Sequence, residues 1–441
     1  MGKLKKLMLL SAVVLLFLPD IVAQNPIIRN QFTADPTARV FNGKIYLFPS
    51  HDIPAPADFA RKDWFCMEDY HVFSSENLTD WTDHGVIVTQ TKVPWISRIG
   101  YDMWAPDCVF RNGKYYFYFP VNGKIGVATA DKPEGPYTVL EKPVVGMSGI
   151  DPCVIIDKDG QAYIYTSQGR FIVAKLKENM VELDGKPQTL PGFPTKGLIE
   201  GPFVFERNGI YYMTYPHVND KIVERLEYAT SSSPMGPFTF GGVLMDESPT
   251  GCWTNHHSLV QYNNQWYLFY HHNDYSPKFD KNRAARVDSL SFNADGSINK
   301  VIPTLRGVGV SSALKNIEVD RYSAISDKGA SIALIDTVDT FKGWKTLLQT
   351  KGSWIKYNTV DFGSTKFKTV QVQAAASKSG VVEIRLESPQ GLLLAEVKIP
   401  AGSGMAVTNA KVKKFQKGIN NLVIVQKGDN PVEIDWVKFA N

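Results

Sequence analysis

The chain has 441 residues, of which 44% are hydrophobic and 21% charged, and its formal net charge at pH 7 is +4. This composition supplies enough apolar side chains for at least two packed domains and excludes collagen-like, coiled-coil and multi-span membrane classes. The small net charge gives no reason to expect a nucleic acid as partner. An aromatic content of 12% favours β-structure or a ligand that stacks on rings.

The N-terminal 24 residues have the pattern of a cleaved secretory signal. Three of the first six residues are lysines, an apolar run extends from Leu7 to Leu18, and small residues follow near Ala23. The run is shorter than the roughly 20 residues that a membrane-spanning helix needs. We therefore expect residues 1–24 to be removed and the mature protein to be secreted or periplasmic, without membrane contact. A retained membrane anchor is the alternative.

One short phrase returns five times in the first two thirds of the chain. In each copy, a two-residue turn precedes a run rich in aromatic and β-branched residues. The turns are Asn42-Gly43, Asn112-Gly113, Asp159-Gly160, Asn208-Gly209 and Asn263-Asn264. Because Asn, Asp and Gly tolerate the positive φ that both positions of a tight hairpin turn require, each copy predicts a β-hairpin.

The spacing of the five turns predicts the architecture. Successive turns lie 70, 47, 49 and 55 residues apart, and about 40–50 residues is the length of a four-stranded propeller blade. We therefore predict a five-bladed β-propeller over residues 25–312. A β-sandwich built from hairpins is the alternative, but it does not explain one phrase at nearly constant spacing. The longer first interval contains residues 53–69, which we expect to form an insertion loop over one mouth of the propeller.

A polar or aromatic residue stands eight or nine positions upstream of each turn. These residues are Asp35, Trp104, Asp151, Glu200 and His256. Equivalent positions of different blades meet around the axis of a propeller, so the shared offset predicts one ring of side chains at one rim of the channel. An Asp before Pro often only caps a turn, but that explanation does not account for acids at the same offset in three blades.

Three carboxyl groups in an uncharged neighbourhood do not all ionise easily. Repulsion and desolvation raise the pKa of at least one of them, which leaves a proton donor beside a proton acceptor at the same pH. Hydrolysis of a glycosidic bond needs such a pair, and an aromatic ring gives a sugar a face on which to stack. The ring of residues therefore predicts a glycosidase site.

These segments resemble glycoside hydrolase family 43, five-bladed propellers that cleave arabinofuranosyl or xylosyl linkages with inversion. The matching phrases are FTADPTARVFNGKIYLFPSHD, MWAPDCVFRNGKYYFYF, GIDPCVIIDKDGQAYIY, IEGPFVFERNGIYYMTY and NHHSLVQYNNQWYLFYHH. The resemblance implies that Asp35 is the general base, that Glu200 is the general acid, and that Asp151 orients the proton donor and tunes its pKa. Inversion needs room for a water molecule, so we expect the Asp35 and Glu200 carboxyls to lie roughly 6.5–9.5 Å apart.

The resemblance also implies roles for three further residues. Trp104 matches a substrate-facing aromatic residue, and Arg283 matches an arginine that contacts sugar hydroxyls, with Arg286 as the alternative. His256 matches an axial histidine that in some members holds a calcium ion directly or through water, and a hydrogen-bonded core histidine is the alternative. We expect no cofactor to be required, with calcium at His256 as a structural ion only.

The expected function is that of an inverting glycosidase that removes arabinofuranosyl or β-xylosyl residues from plant cell-wall polysaccharide. An endo-arabinanase or an exo-galactanase of the same fold is the alternative among enzymes. A non-catalytic sugar-binding propeller is the alternative outside them, although a binding protein has no need of three acids at one axis. The sequence leaves open the sugar, the linkage, exo or endo action and the oligomeric state.

Residues 313–441 show a different pattern. Runs such as WIKYNTVDFG, TVQVQAAA, GVVEIRLES, LLLAEVKIP, NLVIVQKG and VEIDWVKFAN alternate polar and apolar side chains, which predicts an antiparallel, jelly-roll-like β-sandwich. The phrases GSWIKYNTVDFG, VEIRLESPQG and PVEIDWVKF resemble family 6 carbohydrate-binding modules. However, AGSGMAVTNA stands where such modules often carry a tryptophan in a Gly-rich stretch.

Three tryptophans are the remaining candidates for sugar stacking in this second domain: Trp344, Trp354 and Trp436. Of these, Trp436 is expected to be buried in the core. Sugar binding by the domain and a structural clamp on the propeller are therefore two equal hypotheses.

Four cysteines, Cys66, Cys108, Cys153 and Cys252, lack the CxxC spacing of a zinc or redox site. Export would permit disulfides, and the sequence leaves their state open. Cys108 and Cys153 lie in hydrophobic runs, where we expect buried free thiols.

Overall fold

The computed structural model describes residues 24–57, 59–167, 169–194, 196–197, 200–219, 222–364 and 366–441. The predicted signal, residues 1–24, lies outside this part of the chain except for its last residue. Within the described residues, the regular structure is β-strand apart from two short 3₁₀ turns at Gln90–Lys92 and Thr340–Lys342. None of the helical segments described is long and apolar enough to span a bilayer.

The first four sheets each contain four antiparallel strands in sequence order. The first sheet consists of β1 (Ala34–Phe41), β2 (Lys44–Asp52), β3 (Met67–Ser75) and β4 (Thr82–Thr89). The second consists of β5 (Asp107–Arg111), β6 (Lys114–Val121), β7 (Lys124–Ala130) and β8 (Thr138–Val139). The third consists of β9 (Ile150–Ile156), β10 (Ala162–Ser167), β11 (Phe171–Leu176) and β12 (Gln188–Thr189). The fourth consists of β13 (Phe203–Arg207), β14 (Ile210–His217), β15 (Arg225–Ser231) and β16 (Thr239–Met245).

The fifth sheet contains β17 (His257–Tyr262), β18 (Gln265–His272) and β19 (Ala284–Leu290). The segment before β1 runs beside β19, where the backbone N–H groups of Ile27 and Thr33 donate to the carbonyls of Ala285 and Arg283, both at 2.9 Å. The start of the described chain is thereby joined to its fifth sheet.

The repeated turns form tight hairpins in four of the five sheets. Both turn positions have positive φ at Asn42-Gly43, Asn112-Gly113, Asn208-Gly209 and Asn263-Asn264, as predicted. The prediction is wrong for Asp159, since in the third turn only Gly160 has a positive φ, of 84°. The loop there is longer, because Asp157 closes it with backbone hydrogen bonds to Gly160 and Gln161, and a longer loop does not require left-handed backbone at Asp159.

Apolar side chains fill the spaces between successive sheets. One cluster joins the first and second sheets around Phe48 and Phe117, and others continue through the second to fifth sheets. A further cluster joins the fifth sheet to the first around Phe269 and Leu47. The first strands of the sheets, β1, β5, β9, β13 and β17, contact one another in this order, and β17 also contacts β1. The starts of these five strands therefore lie close to one another.

The C-terminal residues form two sheets that share one apolar core. The strands in chain order are β20 (Ser311–Ser312), β21 (Ile317–Glu318), β22 (Ala324–Ile325), β23 (Ala330–Leu334), β24 (Trp344–Leu348), β25 (Trp354–Asp361), β26 (Thr369–Ala375), β27 (Gly380–Leu386), β28 (Leu393–Ile399), β29 (Ala406–Lys411), β30 (Ile419–Gln426) and β31 (Val432–Ala440). One sheet has the order β20-β25-β30-β27-β28 with β22 beside β25, and the other has the order β23-β24-β31-β26-β29 with β21 beside β31. The six alternating runs are all strands, β25–β28, β30 and β31, and the other six described strands, β20–β24 and β29, were indicated by no run.

The five-sheet unit and the C-terminal unit contact each other at Tyr275. The ring of Trp344 stacks on the Tyr275 ring, with 5.3 Å between centroids and 16° between planes. Thr340 Oγ1 donates to the backbone carbonyl of Tyr275 at 2.6 Å. The buried Arg321 donates to the Tyr275 hydroxyl at 3.1 Å and to the backbone carbonyl of Asn25. Polar and aromatic contacts thus fasten the C-terminal unit to the loop that follows β18.

The burial of single side chains agrees with one prediction and corrects another. All four cysteines are free and buried, which confirms the prediction for Cys108 and Cys153. Trp436, expected in the core, is only half-buried, because Ile434 and Val437 occupy the core positions of β31.

Candidate active site

A cavity of about 100 Å³ lies where the starts of the first strands meet. Its walls contain four of the five residues of the predicted ring, Asp35, Trp104, Asp151 and Glu200. The fifth, His256, is buried beside the cavity and does not line it; its Nδ1 would lie 3.1 Å from a Cβ placed on Gly201.

The same backbone conformation directs the side chains of Asp35 and Asp151 into the cavity. Both have left-handed backbone, with φ of 45° and 54°, and each precedes a proline at the start of its strand. The pairing register shifts at both places, between Ala34 and Thr37 in β1 and opposite the start of β9. A bulge of this kind re-aims a side chain, and Asp is among the residues that tolerate left-handed backbone. The Asp-Pro pair therefore turns each carboxyl into the cavity.

The carboxylate of Asp35 is held by two donors. Ser50 Oγ donates to its Oδ2 at 2.8 Å, and Arg283 Nη1 donates to its Oδ1 at 2.9 Å. The backbone N–H of Asp35 donates to Nδ1 of His271 at 3.0 Å, although the sequence indicated no role for that histidine. The guanidinium of Arg283 thus balances the charge of Asp35, and the carboxylate has a fixed orientation.

Arg283 is itself fixed by Asp52, a residue that the sequence analysis missed. Nε and Nη2 of Arg283 donate to the two oxygens of Asp52, each at 3.0 Å, and its guanidinium lies 4.6 Å from the centroid of the Phe65 ring. Asp52 is the last residue of β2, in the phrase PSHD, and it is buried. An acid at the end of a largely apolar strand could have indicated a partner for a buried cation. Arg286, the alternative, pairs with Asp274 and does not line the cavity.

The two other acids of the cavity have raised pKa values. Desolvation and the charge of Asp35 raise the pKa of Glu200 to about 7. Burial, together with the charges of Glu200 and Asp35, raises the pKa of Asp151 well above its usual range. The carboxyl of Asp151 accepts hydrogen bonds from the backbone N–H of Gly201 at 2.9 Å and from Ser167 Oγ at 3.3 Å. Asp151 therefore fixes the backbone immediately after Glu200.

A further buried acid, Glu224, stands near Glu200 and was also missed by the sequence analysis. Its Oε2 accepts the backbone N–H of Asn255 at 2.8 Å, and its Oε1 has no hydrogen-bond partner among the described residues. Burial and the charge of Glu200 raise the pKa of Glu224 well above its usual range. Glu224 lies outside the five repeated phrases, so the spacing argument did not indicate it.

Aromatic side chains form much of the remaining wall. Trp64 and Phe65 come from the predicted insertion loop, and Trp253 comes from the segment before β17. The loop ends earlier than predicted, at residue 66 and not 69, because β3 begins at Met67. The buried indole Nε1 of Trp104 has no hydrogen-bond partner among the described residues. The loop therefore shapes the cavity.

His256 offers little to a calcium ion. Burial lowers the pKa of His256 to about 4, so its imidazole is neutral near pH 7. In the described part of the chain, no grouping of three metal-ligating side chains includes His256. Since Ca²⁺ takes six to eight oxygen ligands, water would have to supply almost all of them. Calcium held at His256 through water therefore stays a prediction.

The geometry of the cavity defines a class of protein. A carboxylate paired with a guanidinium, a carboxyl with a raised pKa and walls of aromatic rings are what acid–base cleavage of a glycosidic bond requires. Residues 23–298 match the model of the glycosyl hydrolases family 43, and residues 324–441 match that of the family 6 carbohydrate-binding module. The chain belongs to glycosyl hydrolase family 43, and it is therefore a glycosidase.

Named relatives cover either the first unit or both units. The chain is 35% identical over 328 residues to a xylosidase/arabinosidase 43A of Humicola insolens. The aligned region covers 62% of this chain and 98% of the relative. The structure of an arabinoxylan arabinofuranohydrolase of Bacillus subtilis, solved with cellotetraose, covers 95% of this chain and 97% of its own, with 27% identity and a TM-score of 0.57. A calcium-free β-xylosidase/α-arabinofuranosidase from a compost metagenome, solved with xylotriose, covers 64% of this chain and 98% of its own, with 32% identity and a TM-score of 0.57.

Proposed function

We propose that the protein is an inverting glycosidase that removes terminal arabinofuranosyl or β-xylosyl residues from plant cell-wall polysaccharide of the arabinoxylan type. The observation that carries this proposal is the division of charge in one cavity: Asp35 is paired with Arg283, whereas the pKa of Glu200 is raised to about 7. One acid is thus equipped to accept a proton and the other to donate one at the same pH. The activities in the names of these relatives supply the sugar class.

Glu200 and Asp35 act at the same moment on opposite sides of the scissile bond. Glu200 gives its proton to the leaving glycosidic oxygen as the bond to the anomeric carbon breaks. Asp35 takes a proton from a water molecule whose oxygen forms the new bond to that carbon from the opposite face. A single displacement inverts the anomeric configuration and needs about 6.5–9.5 Å between the carboxyls. Glu200 ends as the anion and Asp35 as the acid, and solvent restores both.

The other polar groups hold this pair in position. Arg283 orients the Asp35 carboxylate through the 2.9 Å hydrogen bond, and one face of its guanidinium is covered by Phe65. Asp151 fixes the backbone next to Glu200 by accepting the N–H of Gly201. The indole of Trp104, which lines the cavity, provides a stacking face for the sugar.

The five sheets form a closed five-bladed β-propeller in this proposal. Two observations support closure: the cyclic order of contacts among β1, β5, β9, β13 and β17, and the hydrogen bonds from Ile27 and Thr33 to the fifth sheet. The cavity then lies on the axis of the propeller. A cavity of about 100 Å³ that is walled by Trp64, Trp104 and Trp253 favours a terminal sugar over an internal chain segment, and hence exo action over that of an endo-arabinanase.

The C-terminal unit acts first as a clamp in this proposal. Trp344, one of the candidate stacking residues, stacks on Tyr275 at the contact between the units, so this face of its ring is not open to a sugar. Trp354 is the candidate best placed for sugar, since it lines an open surface groove with Ser326 and Lys351. A polysaccharide contact through Trp354 would add to the clamp and not replace it.

Export is part of the proposal and rests on the pattern of residues 1–24 alone. Mass spectrometry of the protein recovered from the periplasm and medium of the native host would give the mature N-terminus. A start within a few residues of Gln24 supports export, and an intact N-terminus on cytoplasmic protein contradicts it.

Activity on defined substrates tests the proposed reaction. The protein would be assayed on an aryl α-L-arabinofuranoside, an aryl β-D-xyloside and arabinoxylan, with proton NMR recording the anomer first released. Asp35→Ala would serve as the control for contaminating enzymes. We expect release of one pentose with inverted configuration. Retention of configuration, or hydrolysis only of internal arabinan bonds, would contradict the proposal.

A further inference from the structure

A cluster of three metal-ligating side chains lies outside the walls of the cavity, on the first sheet. His51 is on β2, and Asp69 and His71 are on the neighbouring strand β3. One ligand atom from each residue lies within 4.8 Å of those of the other two, the only such grouping of three found among the described residues. Their side chains are 21%, 13% and 14% exposed, so water and ions have access to a largely enclosed site.

The strands fix how the three side chains meet. Asp69 and His71 are two positions apart on β3 and so point to the same face of the sheet. The rings of His51 and His71 lie 5.1 Å apart between centroids, at 75° to each other. The ring of His71 also lies over that of Phe73, 6.0 Å away and inclined by only 16°. The cluster is therefore held by backbone geometry and by packing.

Carboxylates orient both imidazoles. Nδ1 of His51 lies 2.7 Å from Asp69 Oδ1, and Nδ1 of His71 lies 3.1 Å from Asp83 Oδ1. Because the Asp69 oxygen belongs to the cluster itself, an ion bound there would replace its hydrogen bond to His51. Asp83 lies outside the cluster; it keeps a proton on Nδ1 of His71 and directs the lone pair of that ring to Nε2. This arrangement is what metal-binding histidines have behind their coordinating nitrogen. The same contacts also describe two ion-paired histidines without a metal, so the experiment must separate these cases.

We propose that His51, Asp69 and His71 bind one divalent transition-metal ion of the zinc type. Two imidazole nitrogens and one carboxylate oxygen are ligands that zinc accepts, whereas calcium would need many more oxygens. Zinc–nitrogen bonds of about 2.0–2.1 Å place tetrahedral ligand atoms roughly 3.3 Å apart, so atoms that now lie within 4.8 Å of one another need to approach by at most about 1.5 Å. Rotation about side-chain bonds achieves this, and water supplies the fourth ligand.

The position of the site predicts what the ion does. His51 immediately precedes Asp52, the carboxylate that holds Arg283. An ion that ties β2 to β3 at this point stabilises the end of the first sheet from which Asp52 projects. The site takes no part in the proposed acid–base reaction, and its occupancy should raise the unfolding temperature without being required for turnover.

The test uses the untagged full-length protein after treatment with a chelator. Titration with Zn²⁺ would be followed by calorimetry, and titration with Co²⁺ by the visible bands that tetrahedral coordination produces. The variants are His71→Gln and His51→Gln. The matched control is His84→Gln, which alters an exposed histidine on β4 whose Nε2 bonds to Ser74 Oγ at 2.8 Å. Far-UV circular dichroism would establish that each variant is folded.

We expect one Zn²⁺ per chain with micromolar affinity, tetrahedral cobalt bands and a higher unfolding temperature in the wild type and in His84→Gln. His71→Gln and His51→Gln should each lose at least about tenfold in affinity, together with the cobalt bands. Absence of zinc binding at micromolar concentration in the wild type, or unchanged binding in a folded His71→Gln, would overturn the proposal. If His71→Gln does not fold, His51→Gln and Asp69→Asn decide by the same criteria.

Discussion

Nη1 of Arg283 lies 2.9 Å from Oδ1 of Asp35, and both buried side chains line the same cavity as Glu200. The guanidinium balances the charge of Asp35, while the field of Asp35 disfavours a second charge on Glu200. In the proposed reaction, this ion pair makes Asp35 the proton acceptor and leaves Glu200 as the donor.

Removal of either reacting carboxyl should stop turnover and leave sugar binding largely intact. Asp35→Ala and Glu200→Ala should each lower kcat by about 10²–10⁴-fold, because each removes one proton-transfer group. Rates on an aryl glycoside with a poor leaving group and calorimetric binding of the product sugar would check this. The control is Asp131→Asn, which alters an exposed acid that pairs with Lys114. Near wild-type rates in either Ala variant would contradict the assignment.

Activity should decline as the pH rises through about 7. The pKa of Glu200 is raised to about 7, and only its protonated form can donate to the leaving oxygen, so the competent fraction falls on the alkaline side. A profile of kcat/KM against pH should show this alkaline limb, and Glu200→Gln should lack it in its residual activity. An unchanged limb in Glu200→Gln would mean that another group donates the proton.

Asp52 should act as a positioning residue for Arg283. Asp52→Asn weakens both hydrogen bonds to the guanidinium and should lower kcat by about 10²-fold, as for a reacting group that is displaced by roughly 1 Å. Breaking a buried ion pair should also cost about 3 kcal/mol in the free energy of unfolding.

A second buried ion pair provides the control for this experiment. Asp274→Asn weakens the pair with Arg286, which does not line the cavity. It should reduce the free energy of unfolding by a similar amount and leave kcat nearly unchanged. If both variants lower kcat equally, loss of stability and not positioning explains the effect.

The contact between the units should contribute to stability through Trp344. Trp344→Ala removes the stack on Tyr275, which is worth about 0.5–1.5 kcal/mol beyond the area it buries. Trp354→Ala, in the surface groove, should leave urea unfolding almost unchanged and weaken retention on arabinoxylan. Urea unfolding and affinity electrophoresis would measure both. If Trp344→Ala abolishes retention without changing stability, the clamp is wrong.

Local sequence was sufficient for much of the fold. Asn-Gly turns specify hairpins because few residues accept left-handed backbone at two successive positions, and the near-constant spacing of the turns indicated repeated sheets. The offset from each turn also indicated Asp35, Asp151 and Glu200, because a repeat places equivalent residues together.

Other features of the site depend on contacts between distant parts of the chain. Asp52 and Arg283 are 231 positions apart, and neither belongs to the repeated phrase that marks the turns. Trp253 and Glu224 also reach the site from irregular segments, where no spacing rule applies. The protonation of Glu200 in turn depends on desolvation in the cavity, which residue types alone do not express.

Dependence of the rate on the leaving group is the most direct test of Glu200 as the proton donor. Wild type, Glu200→Gln and Asp35→Asn would be compared on two aryl glycosides of the same sugar, one with a poor leaving group and one with an activated leaving group such as 2,4-dinitrophenolate. We predict that Glu200→Gln recovers much of its rate on the activated substrate, which needs no proton, while Asp35→Asn is equally impaired on both. Equal impairment of Glu200→Gln on both substrates would contradict the account.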